Sequence, residues 1–149
     1  MYRTGNGKLE VLLVHLGGPF WTRKDDGAWF IPKGEINVGE NEFSAAKREF
    51  EEETGIKPKG NFIPLGGVHD KRGKTVVAWA FEGVCDPASI KSNTFTIEWP
   101  PRSGKKKEFP EVDRAQWFTM EGAEQKIHCD ELELLKRLAE SLSEKRGKA

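Results

Sequence analysis

The alternation of hydrophobic and polar positions predicts strands on either side of one helix in the first half of the chain. Residues 9–16 form an apolar run between two glycine-rich segments, which is typical of a largely buried strand. Residues 28–31 form a shorter extended piece that ends at Pro32. From Asn41 to Gly55 nearly every residue favours helix, and these two residues can cap its start and its end.

Two strands and a long connection follow this helix. Residues 62–69 and 74–82 have strand composition, and the short polar segment 70–73 between them is typical of a hairpin connection. Residues 86–110 then form an irregular stretch with one possible strand at residues 94–99. Because a structureless segment of this length is uncommon in a compact domain, we expect a lid, a dimer contact or a disordered loop there.

The C-terminal part predicts one strand, at residues 112–118, and one amphipathic helix, at residues 130–142, whose leucines recur at helical spacing. Residues 143–149 are expected to form a flexible tail. This order of elements predicts a single α/β domain over residues 1–149, with a mixed sheet covered by helices.

Composition narrows the class of protein. The chain has 149 residues, 32% of them charged, and no apolar run near the ~20 residues that span a bilayer, so no membrane partner is expected. Cys85 and Cys129 have no metal-type spacing and the N-terminus does not resemble a signal peptide, which favours a cytoplasmic location. The formal net charge of zero argues against a dedicated nucleic-acid binder.

Three carboxylates share one face of the predicted helix. Glu49, Glu52 and Glu53 are three and four positions apart, which places them within an arc of about 100°. Such groups repel one another without a cation, and Mg²⁺ prefers oxygen ligands that it shares with substrate phosphates. The cluster therefore indicates a metal site, although a solvated acidic surface is the simpler interpretation of the helix taken alone.

The residues around this cluster follow a longer pattern. Fixed residues stand at Gly34, Glu40, Arg48, Glu49, Glu52, Glu53 and Gly55, with apolar Phe50 and Ile56 between and after them. The pattern resembles the Nudix box, G-x5-E-x7-R-E-U-x-E-E-x-G-U with U apolar, and Phe50 departs from it mildly because that position is usually aliphatic. At ~7% usage per residue type, the fixed matches arise by chance on the order of once in 10⁸ starts. Residues 29–33 also look like the lead-in of many family members.

The resemblance to Nudix hydrolases implies an α/β/α sandwich and the Mg²⁺- or Mn²⁺-dependent hydrolysis of a nucleoside diphosphate linked to another group. It implies that Glu52 and Glu53 bind the metal, that Glu49 is a further ligand or activates water, and that a main-chain carbonyl near Lys33 or Gly34 completes the coordination. Arg48 would orient the acids by ion pairing, and Glu40 would brace the loop. The general base is left open between Glu52, Glu49 and Glu111, and Glu111 is equally well explained as a solvated loop acid.

Candidate substrate contacts are distributed along the chain. The residues that we expect to hold phosphates are Lys33, Arg23, Lys24, Lys71, Arg72 and Lys74, and those that can stack on a base are Trp29, Trp79 and Phe20. Each also has an ordinary explanation as a surface lysine or arginine or as a core aromatic residue. The Pro-Lys-Gly lead-in and the Gly-Lys-Thr-Val hairpin look similar to the branch that acts on dinucleoside polyphosphates and diphosphoinositol phosphates, although the tyrosine associated with the former is absent from residues 68–77.

We therefore expect a pyrophosphohydrolase that takes a small nucleotide or polyphosphate, most specifically a dinucleoside polyphosphate, and that is a monomer or homodimer. Two alternatives remain: a non-catalytic nucleotide-binding module on the same fold, and an RNA 5′-end pyrophosphohydrolase. Family members generally begin with a further strand ahead of the one at residue 9. Met1 lies too close to leave room for it, which predicts either a sheet that lacks this strand or a start site further upstream.

Overall fold

The computed structural model describes residues 1–33 and 39–147. Its strands are β1 (Tyr2–Gly5), β2 (Lys8–Leu16), β3 (Trp29–Phe30), β4 (Phe62–His69), β5 (Thr75–Phe81), β6 (Thr94–Glu98), β7 (Lys106–Pro110) and β8 (Val112–Thr119). Its α-helices are α1 (Glu42–Thr54), α2 (Met120–Lys126) and α3 (Leu132–Gly147), and short 3₁₀ helices occupy Pro87–Ser89 and Cys129–Glu131.

Strand β2 is the centre of the main sheet. It pairs antiparallel with β8 along one side, and with β1 and β3, one after the other, along the opposite side. Its residues from Val11 to His15 are all buried, which requires cover on both faces of the sheet. Helix α2 packs on β2 and β8, α3 on β4, and α1 on β5. These layers agree with the predicted α/β class.

A strand does precede β2, so the prediction that Met1 leaves no room for one was wrong. Tyr2–Gly5 pairs with Lys8 to Val11 in a tight hairpin, and Tyr2 is buried. Asn6 and Gly7 connect the two strands with φ values of 52° and 75°. This two-residue turn with positive φ at both positions is the one that Asn-Gly favours, because its twist matches that of the strands.

The segment from residue 86 to 110 is not a structureless loop, which corrects the sequence-based expectation. It contains the 3₁₀ turn at Pro87–Ser89 and a two-stranded hairpin in which β6 pairs with β7 from Thr94↔Pro110 to Glu98↔Lys106. The hairpin packs against the loop after β2: a Cβ on Gly18 would lie 2.7 Å from the Phe95 ring. Only a residue without a side chain permits so close an approach.

The helix that carries the acidic cluster has the predicted boundaries. The Asn41 side chain accepts a 2.7 Å hydrogen bond from the Ser44 N–H, and Gly55 ends the helix in the left-handed region at φ 77°. Helix α2 was not predicted. Helix α3 continues to Gly147, so the tail predicted for residues 143–149 is helical as far as that residue. Within the described ranges, no helix is both long and apolar enough to span a membrane.

Candidate metal centre and active site

The acidic face of α1 points toward the lead-in segment that precedes it. Phe50 lies beside this face and anchors the helix in the core, where its ring meets Phe81 edge-to-face at 5.1 Å. Glu53 lies on the inner side of the acidic face and is 8% exposed. Its Oε2 accepts a 3.0 Å hydrogen bond from the backbone N–H of Lys33. The lead-in and the acidic helix are therefore joined directly at this carboxylate.

The environment of Glu53 disfavours its negative charge. Burial raises the pKa of Glu53 to about 8, and the nearby charges of Glu49 and Glu111 act in the same direction. The Lys33 backbone N–H and ammonium oppose the shift but do not cancel it. A buried carboxylate among other carboxylates is costly as scaffold alone, and a bound cation would remove that cost. The donors here are carboxylate oxygens, which are the ligands that hard divalent cations prefer.

Glu111 joins this cluster from outside the helix. It lies between β7 and β8, and burial raises its pKa, with further contributions from the charges of Glu49 and Glu52. Both backbone polar groups of Glu111 are hydrogen-bonded. Its N–H donates to the Asn93 carbonyl at 2.9 Å, and its carbonyl accepts from the Gly17 N–H at 2.9 Å. The four carboxylates predicted to bind the metal or to act as the general base therefore lie close together.

Two hydrogen bonds join the segment before β6 to the end of α1, and they explain how Glu111 comes close to this helix. The Asn93 N–H donates to the Glu52 carbonyl at 3.2 Å, and the Lys91 N–H donates to the Thr54 carbonyl at 3.3 Å. Carbonyls in the last turn of a helix have no partner within the helix, so this segment satisfies them. One residue, Asn93, therefore links the C-terminal end of α1 to the backbone of Glu111.

Arg48 pairs with three acidic side chains, and the orienting role implied by the family resemblance stays a prediction. Its Nε and Nη2 bind the two carboxylate oxygens of Glu40 at 2.8 and 3.0 Å. Its Nη1 reaches Glu49 at 2.6 Å and Glu52 at 2.9 Å. These contacts raise the pKa of Arg48, with Glu40 contributing most. The rigid guanidinium fork makes a paired contact to Glu40 and one contact each to Glu49 and Glu52, a set of four that the three donors of a lysine ammonium cannot reproduce.

Three of the predicted substrate-binding residues line a single cavity. Lys33, Lys74 and Trp79 border a space of about 670 Å³ between α1 and the β4–β5 hairpin. The wall is mainly apolar and includes Phe43, whose ring lies 5.1 Å from that of Trp79. The Lys33 ammonium pairs with the buried carboxylate of Glu131, and Lys33 is half-exposed.

The other predicted contacts lie elsewhere. Trp29 is 2% exposed and packs in the core against Phe118, with its indole N–H bonded to Asp25, which favours its explanation as a core residue over stacking on a base. Further predicted residues are exposed and do not border the cavity: Arg23, Lys24, Lys71, Arg72 and Phe20. Gly34 lies outside the described residues. Sequence reasoning missed Glu131 and Phe43, because their roles depend on contacts between distant segments.

This chain belongs to the NUDIX domain family, whose model matches residues 2–138. It is 49% identical over 51 residues to Nudix hydrolase 6 of Arabidopsis thaliana, a match that covers 34% of this chain and 17% of that protein. It is 38% identical over 88 residues to the asymmetrical bis(5'-nucleosyl)-tetraphosphatase of Rattus norvegicus, a match that covers 54% of each chain. The chain thus matches about half the length of that relative and less of the plant protein.

The fold agrees with this family assignment. A crystal structure of a C. elegans Ap4A hydrolase binary complex superposes with a TM-score of 0.66 at 24% identity, covering 95% of this chain and 93% of that one. The predicted family and the predicted Nudix-type α/β fold are both confirmed. Nudix hydrolases generally use divalent metal ions, which suits the acidic cluster on α1.

Proposed function

We propose that this protein is a Mg²⁺-dependent Nudix hydrolase that cleaves a diphosphate linkage in a dinucleoside polyphosphate or a related nucleotide. The observation that supports this most directly is the convergence of Glu49, Glu52, Glu53 and Glu111 beside the Lys33 backbone. Glu52 and Glu53 would be the principal metal ligands, with Glu49 as a further ligand. Bound there, Mg²⁺ or Mn²⁺ would offset the phosphate charge and lower the pKa of a coordinated water.

Arg48 and Glu111 would supply the remaining roles in the reaction. Arg48 keeps Glu49 and Glu52 in fixed positions, so the acids need no reorganisation when the metal and substrate bind. Glu111 lies near Glu49 and Glu52 on a separate segment and has a raised pKa, which makes it a better proton acceptor than an ordinary carboxylate. We assign Glu111 as the general base that takes the proton of the attacking water.

The cavity beside α1 supports a nucleotide substrate. Its volume of about 670 Å³ falls within the ~300–1,000 Å³ range of small-molecule sites. Trp79 and Phe43 offer aromatic surface for a base, and Lys33 lies where the cavity meets the acidic cluster. The resemblance to the rat tetraphosphatase favours a dinucleoside polyphosphate over other members of this substrate class.

A substrate panel with one matched pair of variants tests the proposal. Dinucleoside polyphosphates, nucleotide sugars, ADP-ribose, nucleoside triphosphates and diphosphoinositol phosphates are compared by kcat/KM in Mg²⁺. We expect turnover of dinucleoside polyphosphates to fall by about 10²-fold in Glu53→Gln. Glu51→Gln is the control, because Glu51 is exposed on the same helix outside the acidic face. Equal activity of Glu53→Gln and wild type, or no turnover of any substrate, would contradict the proposed function.

A further inference from the structure

Glu131, outside the Nudix box, is a fully buried carboxylate with 0% exposure. It lies in the 3₁₀ helix Cys129–Glu131, directly before α3. Its Oε1 accepts a 2.9 Å hydrogen bond from the Ile31 N–H, and its Oε2 pairs with the Lys33 ammonium. Both partners belong to the lead-in, and both carboxylate oxygens are used.

The same lead-in residue continues the connection to the candidate metal centre. The side chain of Lys33 binds Glu131, while its backbone N–H binds Oε2 of Glu53 at 3.0 Å. Pro32, between the two partners of Glu131, has no N–H and a restricted φ, so the segment has few ways to relax. Lys33 therefore contacts both carboxylates, that of Glu131 and that of Glu53.

Two backbone hydrogen bonds fix the position of Glu131. The His128 N–H donates to the Trp29 carbonyl at 2.8 Å, and the Glu131 N–H donates to the His128 carbonyl at 3.0 Å. Residues 128–131 therefore lie alongside the lead-in, and Glu131 cannot move without displacing it. A buried carboxylate is expensive unless it is paired and hydrogen-bonded. An apolar residue would cover the core here, but it would hold neither Ile31 nor Lys33.

We propose that Glu131 is a positioning residue for the metal centre, which it serves by holding Lys33 where its backbone N–H fixes the Glu53 carboxylate. This inference rests on the proposed function, since it takes Glu53 as a metal ligand. Groups that orient metal ligands typically change affinity by ~10–100-fold when they are removed. We therefore expect Glu131→Gln to weaken Mn²⁺ binding about tenfold while the protein remains folded.

Titration of the full chain with Mn²⁺, read by electron paramagnetic resonance without substrate, measures this effect. Glu131→Gln is compared with Glu133→Gln, an exposed acid in the first turn of α3 that pairs with Arg137 at 3.7 Å. Glu133→Gln should bind Mn²⁺ as wild type does. The exchange rate of the residue 33 amide proton is a second readout, and it should rise about tenfold in Glu131→Gln because the segment is released.

A double variant separates loss of the positioning role from misfolding caused by an unpaired buried charge. Lys33→Met combined with Glu131→Gln removes both charges, so no buried ion is left unpaired. Its Mn²⁺ affinity should be as weak as that of Glu131→Gln. Wild-type affinity in a folded Glu131→Gln or in the double variant, with affinity lost in Glu53→Gln, would overturn the positioning role alone. Unchanged affinity in Glu53→Gln would instead remove the proposed metal site.

Discussion

The backbone N–H of Lys33 donates a 3.0 Å hydrogen bond to the most buried carboxylate of the acidic helix face, that of Glu53. This contact joins the lead-in segment to α1. It gives Glu53 one backbone donor where burial and the neighbouring carboxylates of Glu49 and Glu111 oppose its charge. The protein's response to pH and to metal should therefore depend on this carboxylate.

The metal-free protein should become less stable as pH rises because of Glu53. Its pKa in the folded protein, about 8, lies above the ordinary value of 4.5, so between these values the folded state binds more protons than the unfolded state. Stability contributed by the protonated carboxyl is present below pH 4.5 and is lost as pH rises through about 8.

Urea unfolding in EDTA at pH 5 and pH 8 checks this expectation. Glu53→Gln should lose about 1–3 kcal/mol less stability over that interval than wild type, because the amide does not titrate. Added Mg²⁺ should recover more stability in wild type than in Glu53→Gln. Identical pH dependence in the two proteins would show that Glu53 titrates normally.

Replacement of Arg48 by lysine should impair turnover although the charge is kept. The lysine ammonium cannot make the paired contacts to Glu40 while also reaching Glu49 and Glu52. We expect kcat to fall ~10–100-fold and the Mg²⁺ concentration for half-maximal activity to rise. Arg102→Lys, on the exposed β6–β7 hairpin, serves as the control. A wild-type Mg²⁺ dependence in Arg48→Lys would argue against the orienting role.

Glu111→Gln should reduce kcat by ~10²–10⁴-fold with little change in KM, because the general base is lost but the cavity is not altered. The acidic limb of the pH–rate profile should disappear at the same time. Glu108→Gln, on the exposed strand β7, keeps the hairpin and should behave as wild type. If Glu111→Gln retains an unchanged pH profile, the base must be another residue.

Two tryptophans should respond differently to the same substitution. Trp79→Leu alters the cavity wall and should raise KM for the nucleotide substrate several-fold with a small effect on stability. Trp29→Leu removes a core ring and should lower the free energy of unfolding by about 2–4 kcal/mol. Thermal unfolding and steady-state kinetics on both variants separate the outcomes. A larger KM effect for Trp29→Leu would reverse the assignment.

The elements that sequence predicted well are those fixed by local chemistry. Helix α1 begins after Asn41 and ends at Gly55 because a side-chain cap and a left-handed glycine satisfy the backbone groups at its two ends. The Asn6-Gly7 turn is a signal of the same kind, although strand β1 before it was not predicted. Strand β7 was missed because its lysine-rich sequence has no hydrophobic alternation, and it is held by pairing with β6.

The candidate site was predictable only in part, because its members come from distant segments. The Nudix box located the acids of α1, and a resemblance alone suggested Glu111. Its approach to the helix depends on Asn93, which bonds both the Glu52 carbonyl and the Glu111 N–H. Glu131 belongs to no sequence motif. It lies in a 3₁₀ helix far along the chain from its partner Lys33, so no spacing links the two residues. Such contacts follow from the tertiary fold and have no local spacing.

The proposed mechanism requires the acidic face of α1 to bind a divalent ion beside the substrate's diphosphate. Anomalous diffraction from a crystal soaked with Mn²⁺ and a non-hydrolysable dinucleoside polyphosphate tests it most directly. We expect an ion peak within about 2.0–2.5 Å of carboxylate oxygens of Glu52 and Glu53, shared with a phosphate oxygen of the ligand. An ordered ligand with no ion at these carboxylates, or with the ion bound elsewhere, would show that α1 does not carry the metal site.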